Sequence, residues 1–189
     1  MATSASSSPI SSSLGVHAIG TAALRGAVAG VVASLVMAMY AMIAAATYQH
    51  TGFFTPLYHI ASTFIAPDAM MSSMMAAGSG STFTFEFGPA VLGAVIHMMV
   101  GAMYGAMFAV IARMARLHGV ALIVSAVVWG AVVFAVSAWI GLPLAAAIFG
   151  GGDPIADMAS MVGYPTFLGE HLLFGGALGL LLAARPGTR

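Results

Sequence analysis

His97-Met98-Met99-Val100-Gly101-Ala102-Met103-Tyr104-Gly105-Ala106-Met107-Phe108-Ala109-Val110-Ile111-Ala112-Arg113 runs from a histidine to an arginine with no charged side chain between them. Extended back to Pro89, the apolar run is long enough to cross a hydrocarbon core, which takes roughly 20 helical residues. Its histidine and glycines recur every fourth residue, so His97, Gly101 and Gly105 share one stripe of a helix. Arg113 and Arg116 close the run with positive charge.

Three further runs of the same kind lie outward from it, at residues 26–48, 120–141 and 166–184. Drawn as spans, they sort the charges completely. Arg25, Arg113, Arg116, Arg185 and Arg189 fall before the first run, between the second and third, and after the fourth. Asp68, Glu86, Asp153, Asp157 and Glu170 fall in the other two connections or at the start of the fourth run, and there is no lysine. Basic loops stay on the cytoplasmic side, so both termini are expected inside and both long connections outside.

Composition requires the same solvent. Hydrophobic residues make up 61% of the 189 and charged residues 5%, whereas a soluble globular domain is roughly a quarter charged. Zero net charge leaves no basic footprint for nucleic acid. The absence of cysteine removes disulfides, thiolate catalysis and thiolate metal sites together.

The expected fold is all-α: a polytopic membrane protein with a four-helix, up-down transmembrane bundle. Residues 1–19, serine-rich at their start, are expected as a disordered cytoplasmic tail, and 20–189 as a single transmembrane domain. The third span is expected to leave the membrane at Gly141-Leu142-Pro143, and the fourth to stop at Arg185-Pro186-Gly187. Short interfacial helices are expected in the outer connections, one after Pro67-Asp68 and one over 155–161. For the second, Asp153 would be the cap and Pro154 the first helical residue. Gly78-Ser79-Gly80-Ser81 reads as a break, and residues 82–87 as a short extended piece.

The chain also reads as a duplicated helix-loop-helix unit, with halves at about 20–112 and 119–185. Pro56-Leu57 precedes Pro67 by the spacing at which Pro143-Leu144 precedes Pro154. Pro89, Leu92-Gly93 and His97 are then matched by Pro165, Leu168-Gly169 and His171. The ladder His171, Gly175, Gly179 repeats His97, Gly101, Gly105. Because the spans that carry them run in the same direction, the repeat is the parallel kind, with its pseudo-twofold axis along the membrane normal.

Small residues on one stripe let helix backbones approach in lipid. Gly26 and Gly30 in span one, Gly101 and Gly105 in span two, and Gly175 and Gly179 in span four are therefore the expected packing residues. His97 and His171 point into the bundle near its outer end. Four readings of these histidines stay open: hydrogen bonds to neighbouring helices; axial ligation of a haem; a transition-metal site with Glu170 or Glu86; a proton or ion relay through the same residues. Met99, Met103 and Met107 form a separate stripe facing nearly the other way. Met70, Met71, Met74 and Met75 read as a pliable apolar cap or as soft ligands for Cu(I). His59 has no counterpart in the second half, where Ala146 aligns with it. No Walker loop, dinucleotide fingerprint, HExxH or nucleophile elbow is present.

The opening Gly26-Ala27-Val28-Ala29-Gly30, His97 with its glycine ladder ending at Arg113, Gly141-Leu142-Pro143-Leu144 and Glu170-His171 together resemble the YagU-like four-span bacterial inner-membrane proteins. The resemblance implies an inner-membrane location and an association with stress or acid tolerance, and it supplies no catalytic residues. The function expected from the sequence is non-enzymatic: a small transporter-like module or a membrane-complex subunit, with a histidine-containing site near the outer face. The alternative is a haem- or metal-binding electron-transfer membrane subunit, with haem or copper as the possible cofactor. A membrane enzyme with Glu170-His171 as acid and base is a third class, weakened because helix neighbours point about 100° apart. Expected partners are the lipid bilayer and either further copies of the chain or a larger membrane complex.

Overall fold

The computed structural model describes residues 10–184, with side chains from residue 17 onward. The residues 1–9 of the expected tail, and Arg185-Pro186-Gly187 and Arg189, lie outside the described residues. Nine α-helices and no strand occur among the described residues: α1 (Ile10–Ala46), α2 (Thr55–Ala61), α3 (Asp68–Gly78), α4 (Phe87–Met114), α5 (Gly119–Val136), α6 (Leu142–Phe149), α7 (Gly152–Ala156), α8 (Met158–Val162) and α9 (Tyr164–Ala183). Helix α1 already begins at Ile10, ahead of the apolar run at residues 26–48.

Four helical stretches are long and apolar enough to cross a membrane: His17–Ala46, Phe87–Met114, Gly119–Phe149 and Tyr164–Ala183. Their outward faces carry large apolar side chains such as Leu24, Ile43, Met99, Val128 and Leu180. Such a surface is compatible with an integral membrane protein.

The third stretch does not end at Gly141. A π turn over Ser137–Gly141 joins α5 directly to α6, and the Leu142 amide donates to the Ser137 carbonyl. Pro143 lacks an N–H and its ring crowds the carbonyl one turn back. The wider π turn just before it absorbs that misfit, so the helix passes through the proline and stops at Gly150, which takes a left-handed conformation (φ 74°). The segment expected as one helix capped by Asp153 is instead two single-turn helices that meet at Asp157. Gly151 precedes the first, and no side chain caps it.

Packing follows the glycine stripes. Helix α1 lies along α4, α5 along α9, and α1 and α9 join the two pairs, whereas α4 and α5 pack on each other far less. At Gly26 and Gly30 an added methyl would overlap the carbonyl oxygens of Gly105 and Gly101, and at Gly175 that of Ala126. Gly130 meets the His171 carbonyl in the same way. Backbones at this distance leave no room for a side chain, and close approach replaces hydrophobic burial as the source of cohesion in lipid. Ala29, Ala33, Phe108, Ala126, Phe174 and Leu178 fill the centre.

The outer end is closed by the connections. Helix α2 opens with Pro56 in its first turn and rests on α4 where Gly93 admits the Leu57 carbonyl. The Tyr58 hydroxyl donates to the Thr84 carbonyl (2.9 Å) and accepts from the Glu86 amide (2.7 Å). Thr55 donates to Ser73 of α3 (2.8 Å). Met70 packs beneath with Leu57, Tyr58 and Ala90, while Met71, Met74 and Met75 face outward. Three bonds then stitch this layer to the second half of the chain: His59 Nε2 to the Pro154 carbonyl (2.5 Å), Gln49 to the Val162 carbonyl (2.7 Å), and Tyr48 with Thr166 (3.0 Å).

Candidate functional site

Because α4 and α5 diverge from the turn that joins them, the half of the bundle away from that turn encloses a cavity of about 530 Å³. All four spans contribute to its wall, and α2 and α8 form its roof. Its volume lies in the range of small-molecule sites. Most of the wall is apolar, supplied by Met37, Ala41, Val133, Leu142, Phe167 and Phe174.

The polar part of the wall is narrow. His97, Glu170 and His171 line the cavity, and so does His59 from the roof. Glu86 is not among the lining residues; it sits half-buried at the start of α4, where Tyr58 holds its amide. The cavity therefore gathers three of the four residues expected from sequence and adds His59.

The two ladder histidines are held differently. His97 Nε2 lies 2.9 Å from the Ser34 carbonyl of α1, whereas His171 Nδ1 lies 2.6 Å from the Phe167 carbonyl in its own helix. A carbonyl only accepts, so the proton is on Nε2 in His97 and on Nδ1 in His171. The remaining nitrogen of each neutral ring is a bare acceptor. His171 is wedged between the rings of Phe134 and Phe167, with centroids at 6.0 and 4.5 Å. His59 is buried and donates to the Pro154 carbonyl, and burial pushes its pKa below the usual histidine value.

Glu170 is 5% exposed. Its position within α9, one and a half turns past Tyr164, takes it into the cavity wall. No hydrogen-bond or ion-pair partner for its carboxyl occurs among the described residues. The one fully buried side-chain polar atom there without a partner is Trp129 Nε1. The free imidazole nitrogens and the Glu170 oxygens thus border open space instead of packed protein.

Among the described residues, no three His, Cys, Asp or Glu side chains come together as a metal site. The methionine stripe of α4 stands at the cavity mouth: Met99 and Met103 both line the cavity and are exposed on the outer surface of the bundle. Ser34, Gln49, Gly93 and Gly130 are positioning residues; Ser34 continues the Gly26-Gly30 stripe and Gly93 belongs to the repeated Leu-Gly pair, whereas nothing in the sequence singles out Gln49 or Gly130.

Compared with known proteins, the chain matches no family model, and no curated protein or solved structure shows significant similarity to it.

Proposed function

We propose that this is a multi-pass inner-membrane protein, with both termini cytoplasmic, that binds a small apolar molecule between its spans without chemically altering it. It acts as a small transporter-like module. One observation carries this reading: a cavity of about 530 Å³ at the meeting point of all four spans, mostly apolar, with His97, Glu170 and His171 together on its wall and His59 in its roof. Ligand sites of this shape use a greasy wall for affinity and a few polar groups for orientation. Ionisable side chains inside a membrane mark substrate or ion pathways.

The test is co-purification. Protein extracted in mild detergent, stripped into organic solvent and examined by mass spectrometry should release a lipophilic compound enriched over bulk lipid. A variant with the cavity filled, Ala41→Phe with Val133→Phe, should release none of it. A release profile identical in both would defeat the proposal.

A second reading, the haem- or copper-binding electron-transfer subunit, is favoured by the shared location of His97 and His171 on one cavity. Each of those rings also keeps one nitrogen without a protein partner among the described residues. The absorption spectrum with and without reductant decides it. A Soret band that disappears in His97→Ala and His171→Ala establishes haem, and a colourless, metal-free preparation removes both cofactors.

A further inference from the structure

Resting on the binding role proposed above, we infer that the ligand is a lipophilic amine, taken in sideways from the bilayer between α4 and α6, with its protonated nitrogen against Glu170. Three observations lead there.

The first is the charge of the wall. Among the described residues, Glu170 is the only acidic one that lines the cavity, and no arginine does. A buried carboxyl is costly to ionise unless a partner neutralises the charge, and no side chain among the described residues does so. An occupant that brings a positive charge relieves that cost. An anionic one, such as a fatty acid or a phosphate-bearing headgroup, adds a second negative charge and finds no cation.

The second is hydrogen-bond polarity. The bonds from His97 to Ser34 and from His171 to Phe167 use the N–H of each ring. Both free imidazole nitrogens are then acceptors, and Glu170 becomes one once its proton has passed to a basic occupant. Such a wall recognises a donor, and an ammonium carries only donors.

The third is the route. Met99 is 67% exposed and Met103 50%, and Phe64 and Phe149 opposite are each 53%, yet all of them also line the cavity. Met99 lies about 18 Å along α4 from Phe87, which is mid-span at the rise of a helix. The mouth therefore opens sideways at the depth of the hydrocarbon, and its methionines are pliable enough to part around an alkyl chain. The aqueous outer face is covered by α2 and α8.

Photolabelling in nanodiscs of pure phosphatidylcholine tests the inference. Three probes share one dodecyl diazirine chain and end in an amine, a hydroxyl or a carboxylate. Labelled peptides are identified by mass. The amine should label cavity-wall peptides about tenfold more than the alcohol, the effect of one desolvated charge pair at the low end of what such pairs contribute. The carboxylate should label them least. In Glu170→Gln, the preference for the amine over the alcohol should disappear, and Glu170→Asp should restore part of it. Equal labelling of wild-type protein by amine and alcohol, or a preference for the carboxylate, overturns the amine but leaves the cavity a binding site. Labelling by none of the three overturns the binding role as well.

Discussion

His97 in α4 donates its Nε2 proton to the carbonyl oxygen of Ser34 in α1 across 2.9 Å. The bond sits one helical turn outward from the place where Gly101 meets Gly30, so it pins the same helix pair that the glycines bring together. Hydrogen bonds of this kind contribute about 0.5–2 kcal/mol inside a membrane. His97→Ala should lower stability by about 1 kcal/mol, and His97→Gln, which keeps a donor, by less. Thermal unfolding in detergent measures the order; equal losses in both variants would mean that the ring acts by packing alone.

The glycines divide into two sets with opposite expected responses. Gly30→Ala must separate α1 from α4, because the new methyl overlaps the Gly101 carbonyl. Overpacking of this sort costs about 1–3 kcal/mol. Gly176 in α9 has nothing within 4 Å of an added methyl. Gly176→Ala should therefore stabilise by about 0.5–1 kcal/mol, by removing chain entropy from the unfolded state. Unfolding temperatures that move the same way in both variants would contradict the packing described for α1 and α4.

His59 gives the outer layer a pH dependence. Its folded pKa lies below the ordinary histidine value because burial disfavours the charged ring, and the bond to Pro154 offsets this only in part. The unfolded chain then takes up the proton first as pH falls. Stability is therefore full above the unfolded pKa of about 6.5 and declines as pH drops from there towards the folded value. His59→Gln should flatten that decline while keeping a donor for the Pro154 carbonyl. Unfolding temperatures from pH 7.5 down to 5 measure it, and a slope unchanged by the substitution would assign the effect elsewhere.

The spans were legible because length and apolar content suffice to mark them, and the inward stripe of His97, Gly101 and Gly105 because period four is a local property. Residues whose roles depend on what approaches from elsewhere in the chain were not legible. His59 has no repeat partner, and its place in the cavity roof exists only because Pro154, 95 positions away, comes to meet it. Helix α2 has seven residues, too short to form alone, and is held by Tyr58 and by the notch at Gly93. Pro143 carried a correct local signal for a helix break, which the π turn cancels. Glu86 and Glu170 look alike in sequence, each at the approach to a span. Only the extra turn and a half of α9 ahead of Glu170 separates an interfacial carboxylate from a cavity wall.

Trp129 Nε1 is fully buried without a partner, with the rings of Tyr104 and Phe108 at 6.4 and 6.1 Å. An unsatisfied buried donor costs about 1–3 kcal/mol, whereas the indole body fills space between α4 and α5. Trp129→Phe removes the donor and keeps an aromatic ring, so stability should change by less than about 1 kcal/mol. Trp129→Ala should cost about 3 kcal/mol or more by opening a void. Comparable losses in the two variants would show that the indole N–H has a partner.

At its C-terminal end, α4 closes in a Schellman motif. The Arg116 amide donates to the Arg113 carbonyl (3.1 Å) and the Leu117 amide to the Ala112 carbonyl (2.8 Å), with Arg116 in the left-handed region at φ 55°. Glycine normally takes this position, and a residue with a Cβ costs roughly 1 kcal/mol there. Arg116→Gly should therefore raise the unfolding temperature. On the topology proposed above, the same change removes one of the charges expected to hold this turn in the cytoplasm, leaving Arg113 to do so. Reporter fusions after residue 116 should stay cytoplasmic in Arg116→Gly and lose that orientation when Arg113 is replaced as well. Had arginine been placed here for the backbone, the single variant would lose stability; a gain in stability with weakened orientation in the double variant shows that it is placed for charge.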